Sequence, residues 1–492
     1  MVHEEAPPDR SRSHEALRLE AEVKRLEQLN ARLAKITAIV QELGQEIELE
    51  ALLPLVIAKV TQAMEADRSS LFLYDRATEE LWTMVGEGLE INEIRMPVSA
   101  GIVGRVATTG QSLNVADAYA LPFYDRSWDQ KTGYRTKSVL CVPLRNNKGK
   151  ILGALEVLNK KDEGVFTGED ADFLTTLAGQ IAVHVENAGL YHQIENLFQS
   201  VVDAIAIAID ERDPVTAGHS RRVTEFTIRM AQAMHWAREG PFREVRFSRS
   251  QLKELRYACL LHDFGKVSVP EAVLQKAERL PMNWIHVIRE RLGRRFAEER
   301  LDLCRHGRLI DSADPQGNRR LDERVDFLVK LNAASFLTEE AADRLQKIFT
   351  EGWITDWEYR YLSIKKGTLT PEERKIVESH VEKTYSVLSA ISWPDDMRNV
   401  PNIAASHHEA MDGRGYPHGL AGDEIPLAGR IMAVADVYDA LTALDRPYKP
   451  AIPHEASADI LREMARKGQL DPDIVEFFLR EEIYRLTGGD TA

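Results

Sequence analysis

Cysteine is scarce in this chain, and its few cysteines show no spacing typical of a metal site or of a disulfide framework. The 492 residues include three cysteines, Cys141, Cys259 and Cys304, which lie far apart and form no CxxC pair. Such isolated cysteines are typical of buried apolar positions rather than of ligands or disulfides. We therefore expect a reducing compartment, and no thiolates are available to favour a structural zinc site.

Long apolar runs are also missing. The longest candidate, residues 201–209, contains Asp203 and is far shorter than the ~20 residues that a membrane span needs. Residues 1–12 are polar and acidic and lack the apolar core of a signal peptide. We expect a cytoplasmic protein that does not use a membrane as its partner.

The chain has no excess of basic residues. Its 63 Lys and Arg residues against 78 Asp and Glu residues give a formal net charge of −15. This balance argues against general binding to a nucleic acid polymer or to an anionic membrane. An anionic small molecule would have to be held by local basic side chains or by metal ions. The length predicts two or three domains.

A polar tail, residues 1–14, is predicted to be disordered and precedes a helical repeat in residues 15–46. Apolar residues recur there every seven positions, with a second row three residues later. The two rows are Leu19, Leu26, Leu33 and Val40, and Leu29, Ile36 and Leu43. This seam predicts a short parallel coiled coil and hence a homodimer, although the polar Glu22 occupies one seam position. One amphipathic helix packed on its own domain is the alternative.

Residues 49–187 have the mixed pattern of an α+β domain with an antiparallel sheet. The alternating runs are rich in β-branched residues, and residues 146–149 read Asn-Asn-Lys-Gly, which predicts a hairpin turn. The predicted elements are a helix at 52–64, strands at 69–74, 81–85, 138–143 and 151–158, and a helix from about residue 169.

The closing helix of this domain meets no proline before Pro214, and we predict a linker helix at residues 188–210. One apolar stripe runs along the closing helix and the linker helix. It consists of Leu177, Tyr191, Phe198 and Ile205, alongside Ile181, Ala188, Val202 and Ile209. Pairing of this stripe in a dimer and a plain rigid spacer are both compatible with the pattern.

Residues 201–484 are predicted to form an all-α domain, because apolar residues recur there at spacings of three and four. A charged helical stretch at about residues 279–367 contains no chemical motif that we recognise. It separates two pieces that each contain metal-ligand residues. We therefore expect it to be an insertion or a subdomain within this domain.

Histidines and aspartates supply the chemistry of the second half. They are His219, His262, Asp263, His380, His407, His408 and Asp436. Neutral imidazoles and carboxylates suit Fe, Mn, Ni or Zn, and seven such groups exceed what one ion needs. They suit two ions that share a carboxylate bridge, a standard arrangement for the hydrolysis of phosphate esters. Lys266, Arg446 and Lys449 are candidates for holding the rest of the phosphate.

The segments around these residues carry a resemblance to a known family. Residues 213–219, 262–266, 407–417 with 425–427, and 436–442 with 446–449 closely resemble the motifs of HD-GYP domains. The resemblance covers about residues 201–484 apart from the inserted stretch. It implies an all-α HD-type fold that hydrolyses cyclic di-GMP or another 3′,5′-linked cyclic dinucleotide.

The resemblance also implies roles for individual residues. One ion would be held by His219, His262, Asp263 and Asp436, and the second by Asp263, His380, His407 and His408. Lys266 would lie near the scissile phosphate and help to protonate the leaving oxygen. The turn of Gly415, Tyr416 and Pro417 would shape the pocket, with Tyr416 against a guanine, and Arg446 and Lys449 would bind phosphate.

Two departures from the family pattern matter. Family members with a third metal have a Glu where this chain has Val215, which cannot be a ligand, so two divalent ions are expected, with Fe or Mn as the first candidates. The connection from Thr442 to Arg446 is one residue longer than usual, which affects the placement of Arg446 and Lys449.

The α+β domain resembles a GAF domain, a small-molecule sensor module. Residues 101–104, 132–138 and 141–144 resemble it, and Asn159, Lys160, Phe166 and Asp170 are similar to the NKFDE motif of cyclic-nucleotide-binding GAF domains. The last acid of that motif is replaced by Ala171. The resemblance implies cyclic AMP or cyclic GMP as a ligand and a structural Lys160–Asp170 pair, and a GAF domain used only for dimerisation is the alternative.

Three hypotheses for function remain open at this point. The first is a GAF-regulated phosphodiesterase for cyclic di-GMP. The second is a catalytically weak receptor that reports the dinucleotide through the inserted stretch or through a signalling protein partner. The third keeps the enzyme but exchanges the substrate for cyclic GMP-AMP, which no single residue distinguishes.

Overall fold

The computed structural model describes residues 10–83, 94–162, 164–212, 218–306, 315–443 and 451–485. The chain divides into two compact units, one ending at Phe198 and the other beginning at Gln199. Within the described ranges, every helix is too short or too polar to cross a membrane.

Unit 1 opens with two helices, α1 (Arg10–Leu43) and α2 (Leu49–Met64). Helix α1 begins at Arg10, inside the stretch that we predicted as a tail. The apolar seam of α1 is buried at its C-terminal end and exposed before it. Its last residues, among them Ile36 and Leu43, are buried in the core of unit 1, whereas Leu19, Leu26, Leu29 and Leu33 are 50–62% exposed in the single chain.

The sheet of unit 1 has six strands in the order β3-β2-β1-β6-β5-β4, and every neighbouring pair is antiparallel. The strands are β1 (Ala66–Asp75), β2 (Glu80–Thr83), β3 (Ile94–Pro97), β4 (Leu113–Val115), β5 (Val139–Arg145) and β6 (Ile151–Lys160). The predicted hairpin joins β5 to β6, where Gly149 N donates to Asn146 O over 2.9 Å. The predicted α+β fold with an antiparallel sheet is confirmed.

Alternation along the strands separates two cores on opposite faces of this sheet. Leu71 and Leu73 of β1 contact one core, which α1, α2 and α5 (Gly168–Arg212) complete. Phe72, between them, lies in the other core with residues of α3 (Gly101–Thr109). A short helix, α4 (Ser127–Thr132), leads into β5. Helix α5 extends to Arg212, two residues beyond the end at residue 210 that we predicted for the linker helix.

The described part of unit 2 is helical apart from two isolated bridges. Its helices are α6 (His219–Trp236), α7 (Arg249–Leu261), α8 (Glu271–Leu274), α9 (Trp284–Arg305), α10 (Pro315–Ala333), α11 (Glu339–Thr350), α12 (Asp356–Leu362), α13 (Pro371–Ser389), α14 (Val400–Ala405), α15 (Leu427–Thr442), α16 (His454–Arg466) and α17 (Pro472–Arg480). The predicted all-helical second half is confirmed.

Capping boxes start three helices of unit 2. Ser248 before α7, Thr355 before α12 and Thr370 before α13 each accept a hydrogen bond from the backbone three residues later, and a Gln or Glu there reciprocates. These caps satisfy backbone donors that the first helical turn leaves unpaired. Helices α7 and α13, which position candidate metal ligands, therefore begin at defined residues.

Helices α9 to α12, in the stretch predicted as an insertion, share a hydrophobic core of their own. Leu292, Leu328, Leu345 and Leu362 are fully buried in it. Glu358 is also buried and accepts hydrogen bonds from Trp284 and Arg291. These helices therefore share buried apolar contacts of their own, which is the arrangement that a subdomain requires.

Candidate metal centre

The seven predicted metal ligands come from five separate places in unit 2. His219 begins α6, His262 and Asp263 follow α7, His380 lies in the middle of α13, His407 and His408 follow α14, and Asp436 lies in α15. The fold places them together and largely excludes water from them. The ligands form two groups that could each hold an ion. The first group is His219, His262 and Asp263, and the second is His380, His407 and His408. Within each group the ligand atoms lie within 4.8 Å of one another.

Asp263 lies between the two groups. Its Oδ2 is 3.4 Å from His262 Nε2 and 3.9 Å from His219 Nε2, whereas its Oδ1 is 3.3 Å from His380 Nε2. One carboxylate thus directs its two oxygens towards two sets of imidazoles. This is the position in which a carboxylate can bridge two ions.

Three histidines are oriented by their own backbone. The Nδ1 atoms of His262, His380 and His407 lie 2.6–2.7 Å from the carbonyl oxygens three residues earlier, so each ring donates from Nδ1. Their Nε2 atoms are buried and have no hydrogen-bond partner among the described residues. A buried polar atom without a partner is costly, and metal ions bound by the two groups would satisfy all three lone pairs. The residues present therefore fit a metal centre.

His219 is held from both sides by carboxylates. Its Nε2 lies 3.1 Å from Asp436 Oδ1, and its Nδ1 lies 2.7 Å from Asp439 Oδ2. Arg222 in turn donates to both oxygens of Asp439, over 2.6 and 3.1 Å. Sequence reasoning assigned no role to Asp439 or Arg222. The available signal was helical spacing, since each lies three residues after a predicted ligand.

Both carboxylates facing the centre are held ionised despite their burial. Burial opposes the charge on Asp263, but Lys266 and two neighbouring histidines outweigh it, so the pKa of Asp263 lies well below its usual value. Burial likewise opposes the charge on Asp436, and the hydrogen bond from His219 overcomes it, so the pKa of Asp436 is also lowered. Two ionised carboxylates among imidazoles attract a cation.

The histidines differ in their protonation. Burial lowers the pKa of His407 well below its usual value, and it lowers the pKa of His408 to about 4. Both rings are therefore neutral near pH 7, as a metal ligand must be. Burial also opposes protonation of His219, but hydrogen bonds with Asp436 and Asp439 raise its pKa to about 10. A metal ion at this position would have to displace that proton.

Close packing fixes the turn that contains Asp263. A Cβ on Gly265 would lie 1.9 Å from the carbonyl oxygen of His380, so only glycine fits there. Thr384 completes the contact: its hydroxyl donates to His262 O and accepts from Gly265 N. Residues from α13 and from the end of α7 are thereby held against each other.

Lys266 lies beside the carboxylate at the centre, with its Nζ 2.7 Å from Asp263 Oδ2. The loop with Gly415, Tyr416 and Pro417 forms another wall. Tyr416 N donates to His408 O, and the two rings lie 4.8 Å apart. Gly415 packs so closely on Glu409 that a Cβ would lie 2.5 Å from the Glu409 Cα.

Glu409, next to the histidine pair, is buried, and its carboxylate accepts from the backbone N–H groups of His418 and Leu420. It therefore fixes the far end of the same loop. Arg446 and Lys449, predicted to bind phosphate, lie outside the described residues, as does Val215.

The NKFDE-like residues of unit 1 form internal contacts. Lys160 Nζ donates to Asp170 Oδ1 and to Met64 O, over 3.2 and 3.0 Å. The Asn159 side chain accepts from Lys137 N and donates to Tyr134 Oη. Phe166 is buried in the core. These contacts hold strand β6 against its neighbours in unit 1. The place for a ligand in this unit is a cavity formed by other residues.

That cavity, of about 140 Å³, lies against the sheet and the start of α3. Its polar lining includes Asp129, which accepts hydrogen bonds from the hydroxyls of Tyr119, Tyr124 and Thr136. Glu156 lies near Asp129, and burial, together with that second charge, raises the pKa of Glu156 to about 7. Apolar side chains from β1 and α3 complete a pocket suited to a small amphipathic molecule.

Comparisons with known proteins identify both units by domain. A GAF domain model matches residues 48–185, and two HD domain models match residues 216–324 and 358–474. The chain is 34% identical over 173 residues to a Caenorhabditis elegans protein named as a probable 3′,5′-cyclic phosphodiesterase, pde-5. That match covers 33% of this chain, and the chain spans about a quarter (24%) of that relative's length.

Two solved structures are similar to part of the chain. One is the GAF domain of a phosphoenolpyruvate-protein phosphotransferase from Coxiella burnetii, 27% identical with a TM-score of 0.31; the match covers 33% of this chain and 96% of that chain. The other is the corresponding GAF domain from Acinetobacter, 25% identical with a TM-score of 0.29, covering 34% and 98%.

Proposed function

We propose that this chain, which joins a GAF domain to an HD domain, is a metal-dependent phosphodiesterase that hydrolyses cyclic di-GMP under the control of its GAF domain. The observation that carries this proposal is the position of Asp263 between two groups of histidines. Buried imidazole nitrogens without partners surround it, and such a cluster is costly unless it holds ions. A two-ion centre is a standard arrangement for the hydrolysis of phosphate esters.

Two divalent ions held by His219, His262, Asp263, His380, His407, His408 and Asp436, with iron or manganese proposed, would supply Lewis acidity towards phosphate oxygens and activate the attacking water. In this hydrolysis the water oxygen bonds to phosphorus, the bond from phosphorus to the 3′ oxygen breaks, and that oxygen gains a proton. Lys266 lies beside Asp263 and is the group that we propose to give this proton.

The walls of the centre suit the rest of a nucleotide. Tyr416 lies next to His408 and offers an aromatic face for stacking with a base. Because Glu409 and Gly415 fix the loop, this face is held in place before substrate binds. We further propose that Arg446 and Lys449 bind phosphate.

The substrate assignment has two supports. The C. elegans relative is named for a 3′,5′-cyclic phosphodiesterase, which is the bond type proposed here. The motifs at residues 262–266, 407–417 and 436–442 resemble those of HD-GYP domains, which supports a cyclic dinucleotide rather than a cyclic mononucleotide as the substrate. The cavity of the GAF domain is the proposed place for cyclic AMP or cyclic GMP.

We propose that the active form is a homodimer. The exposed leucines of α1 repeat every seven residues, and pairing with a second copy would remove them from water. An apolar seam left half-exposed in the single chain supports this proposal over a helix packed only on its own domain.

The test is hydrolysis by protein loaded anaerobically with iron or manganese. Cyclic di-GMP and cyclic GMP-AMP are incubated separately and the products are separated. We expect cyclic di-GMP to be opened faster, about two metal ions per chain, and loss of both metal pairing and hydrolysis in Asp263→Ala. Tight binding of cyclic di-GMP without turnover would identify a receptor instead, and three ions per chain would contradict the proposed centre.

A further inference from the structure

A basic groove lies between the inserted helices and the helix that contains His380. Its volume is about 530 Å³, and its lining includes the cationic residues Arg360, Lys365, Lys366 and Arg374. Arg360 pairs with Glu372. Among the described residues, no carboxylate pairs with the other three cations. In a chain with a formal charge of −15, such a local excess of positive charge predicts an anionic ligand.

The backbone that carries the two lysines is fixed. Leu337 N donates to Lys365 O over 3.0 Å, and Gly367 N donates to Ser335 O over 2.8 Å. Between them, Phe336 and Lys366 form an antiparallel bridge. The lysines therefore start from a defined position beside α13, although their long side chains are exposed. The inserted stretch builds this wall of the groove.

Arg374 extends the groove towards the metal centre. Arg374, Glu378 and Tyr385 lie at spacings of four and seven residues, within about 40° of one another around α13. The ring of Tyr385 lies 6.2 Å from that of His418, in the loop that contains Tyr416. The side of α13 that carries Arg374 therefore faces this loop.

Arg374 and the candidate ligand His380 lie on the same helix. They are six residues apart in α13, which is about 9 Å along the helix axis. The groove therefore begins within reach of a long side chain from the segment that carries His380.

We propose that this groove binds the second phosphate of the cyclic dinucleotide while the first phosphate is cleaved at the metal centre. The inference rests on the proposed function. A cyclic dinucleotide carries two phosphodiesters, each with one negative charge, and the metal ions would balance the charge of only the one that is cleaved. Lys365, Lys366 and Arg374 supply the counter-charge for the other, and Leu369 and Pro371 supply apolar surface for the ribose. The groove thereby selects substrates with two phosphates.

The experiment compares two substrates on the full-length, metal-loaded protein. Cyclic di-GMP carries a second phosphate, whereas bis(p-nitrophenyl) phosphate presents a single phosphodiester to the same centre. The variants are Lys365→Ala/Lys366→Ala and Arg374→Ala. The control is Lys375→Ala, an exposed neighbour on α13 that does not line the groove.

We expect each groove variant to raise the KM for cyclic di-GMP about tenfold or more, as the loss of a charge-assisted contact predicts. The kcat for cyclic di-GMP, and all turnover of bis(p-nitrophenyl) phosphate, should stay within about twofold of wild type, as should every constant of Lys375→Ala. An unchanged KM for cyclic di-GMP in both groove variants would overturn the groove assignment and leave the phosphodiesterase intact. Equal losses on both substrates would also overturn it. Failure of the wild type to cleave either ester would overturn the proposed function and the inference with it.

Discussion

Asp439 is the residue on which the position of His219 depends. Its carboxylate accepts from His219 Nδ1 and from two nitrogens of Arg222, and its side chain is only 3% exposed. Asp439→Asn preserves the shape of the side chain but removes its charge. The amide can accept from one of the two partners only, and its NH₂ group then faces the donor of the other.

The structure sets the size of the two effects. Breaking a buried ion pair by neutralising one partner costs about 3–5 kcal/mol. The side chain of Arg222 is 27% exposed, so water can solvate it after the substitution. We therefore expect the free energy of unfolding to fall by about 2–3 kcal/mol. Mutation of a residue that orients a ligand histidine typically lowers metal affinity by about 10–100-fold. We expect a change of that size for the ion next to His219.

The pH dependence has a definite sign. Burial opposes the charge on Asp439, but the hydrogen bonds from His219 and Arg222 outweigh it, so its pKa in the folded protein is lowered. A lowered pKa contributes stability above the unfolded value, about 3.9, and loses it as the pH falls through the folded value. The difference in stability between wild type and Asp439→Asn should therefore be complete near pH 7 and shrink below about pH 4.

Metal affinity is measured by competition with a chelator, and stability is measured by urea denaturation of the metal-free protein. Asp471→Asn is the matched control, because Asp471 is also buried and pairs with Arg430 over 2.9 Å but contacts none of the candidate ligands. It should lose stability and keep its metal affinity. If Asp439→Asn binds metal within about twofold of wild type while losing as much stability as the control, the reasoning about His219 is refuted.

Three further predictions concern other residues. Lys266→Ala should keep both ions by metal analysis and lower kcat about 10²-fold or more, because it removes the proposed proton donor; loss of the metals would contradict that role. Glu156 has a pKa raised to about 7 by burial and by Asp129, so its stability contribution falls as the pH rises from about 4.5 to 7. Glu156→Gln should therefore be more stable than wild type at pH 8, by up to about 3 kcal/mol, and equal to it near pH 4, as checked by chemical denaturation. Cyclic AMP or cyclic GMP, titrated into the full-length enzyme, should change its rate about fivefold to a hundredfold; an unchanged rate with both would leave dimerisation as the role of the GAF domain.

Much of the fold follows from short-range patterns in the sequence. Alternation in residues 138–143 and 151–158 and the turn at residues 146–149 predicted paired strands, and apolar spacings of three and four predicted helices in the second half. The strands at Ile94–Pro97 and Leu113–Val115 were not predicted, because three or four residues are too few to show a period. Heptads along α1 also did not reveal that its last turns pack into the core of the same unit, since a periodic face does not specify its partner.

The motifs of the second half selected the seven candidate ligands, because adjacent His-Asp and His-His pairs are distinctive even without a structure. Their arrangement depends on contacts between distant parts of the chain. His219 and Asp439 are 220 positions apart, and Asp263 meets His380 only because Gly265 lets two segments approach closely. The inserted stretch carried no motif, yet it places Lys365 and Lys366 beside α13. The sequence by itself determined which chemical groups are available. Only tertiary packing decided which imidazole nitrogens lack partners, which carboxylate lies between the two groups of histidines, and where positive charge is concentrated. The reason is that each of these is a property of side chains brought together from separate helices.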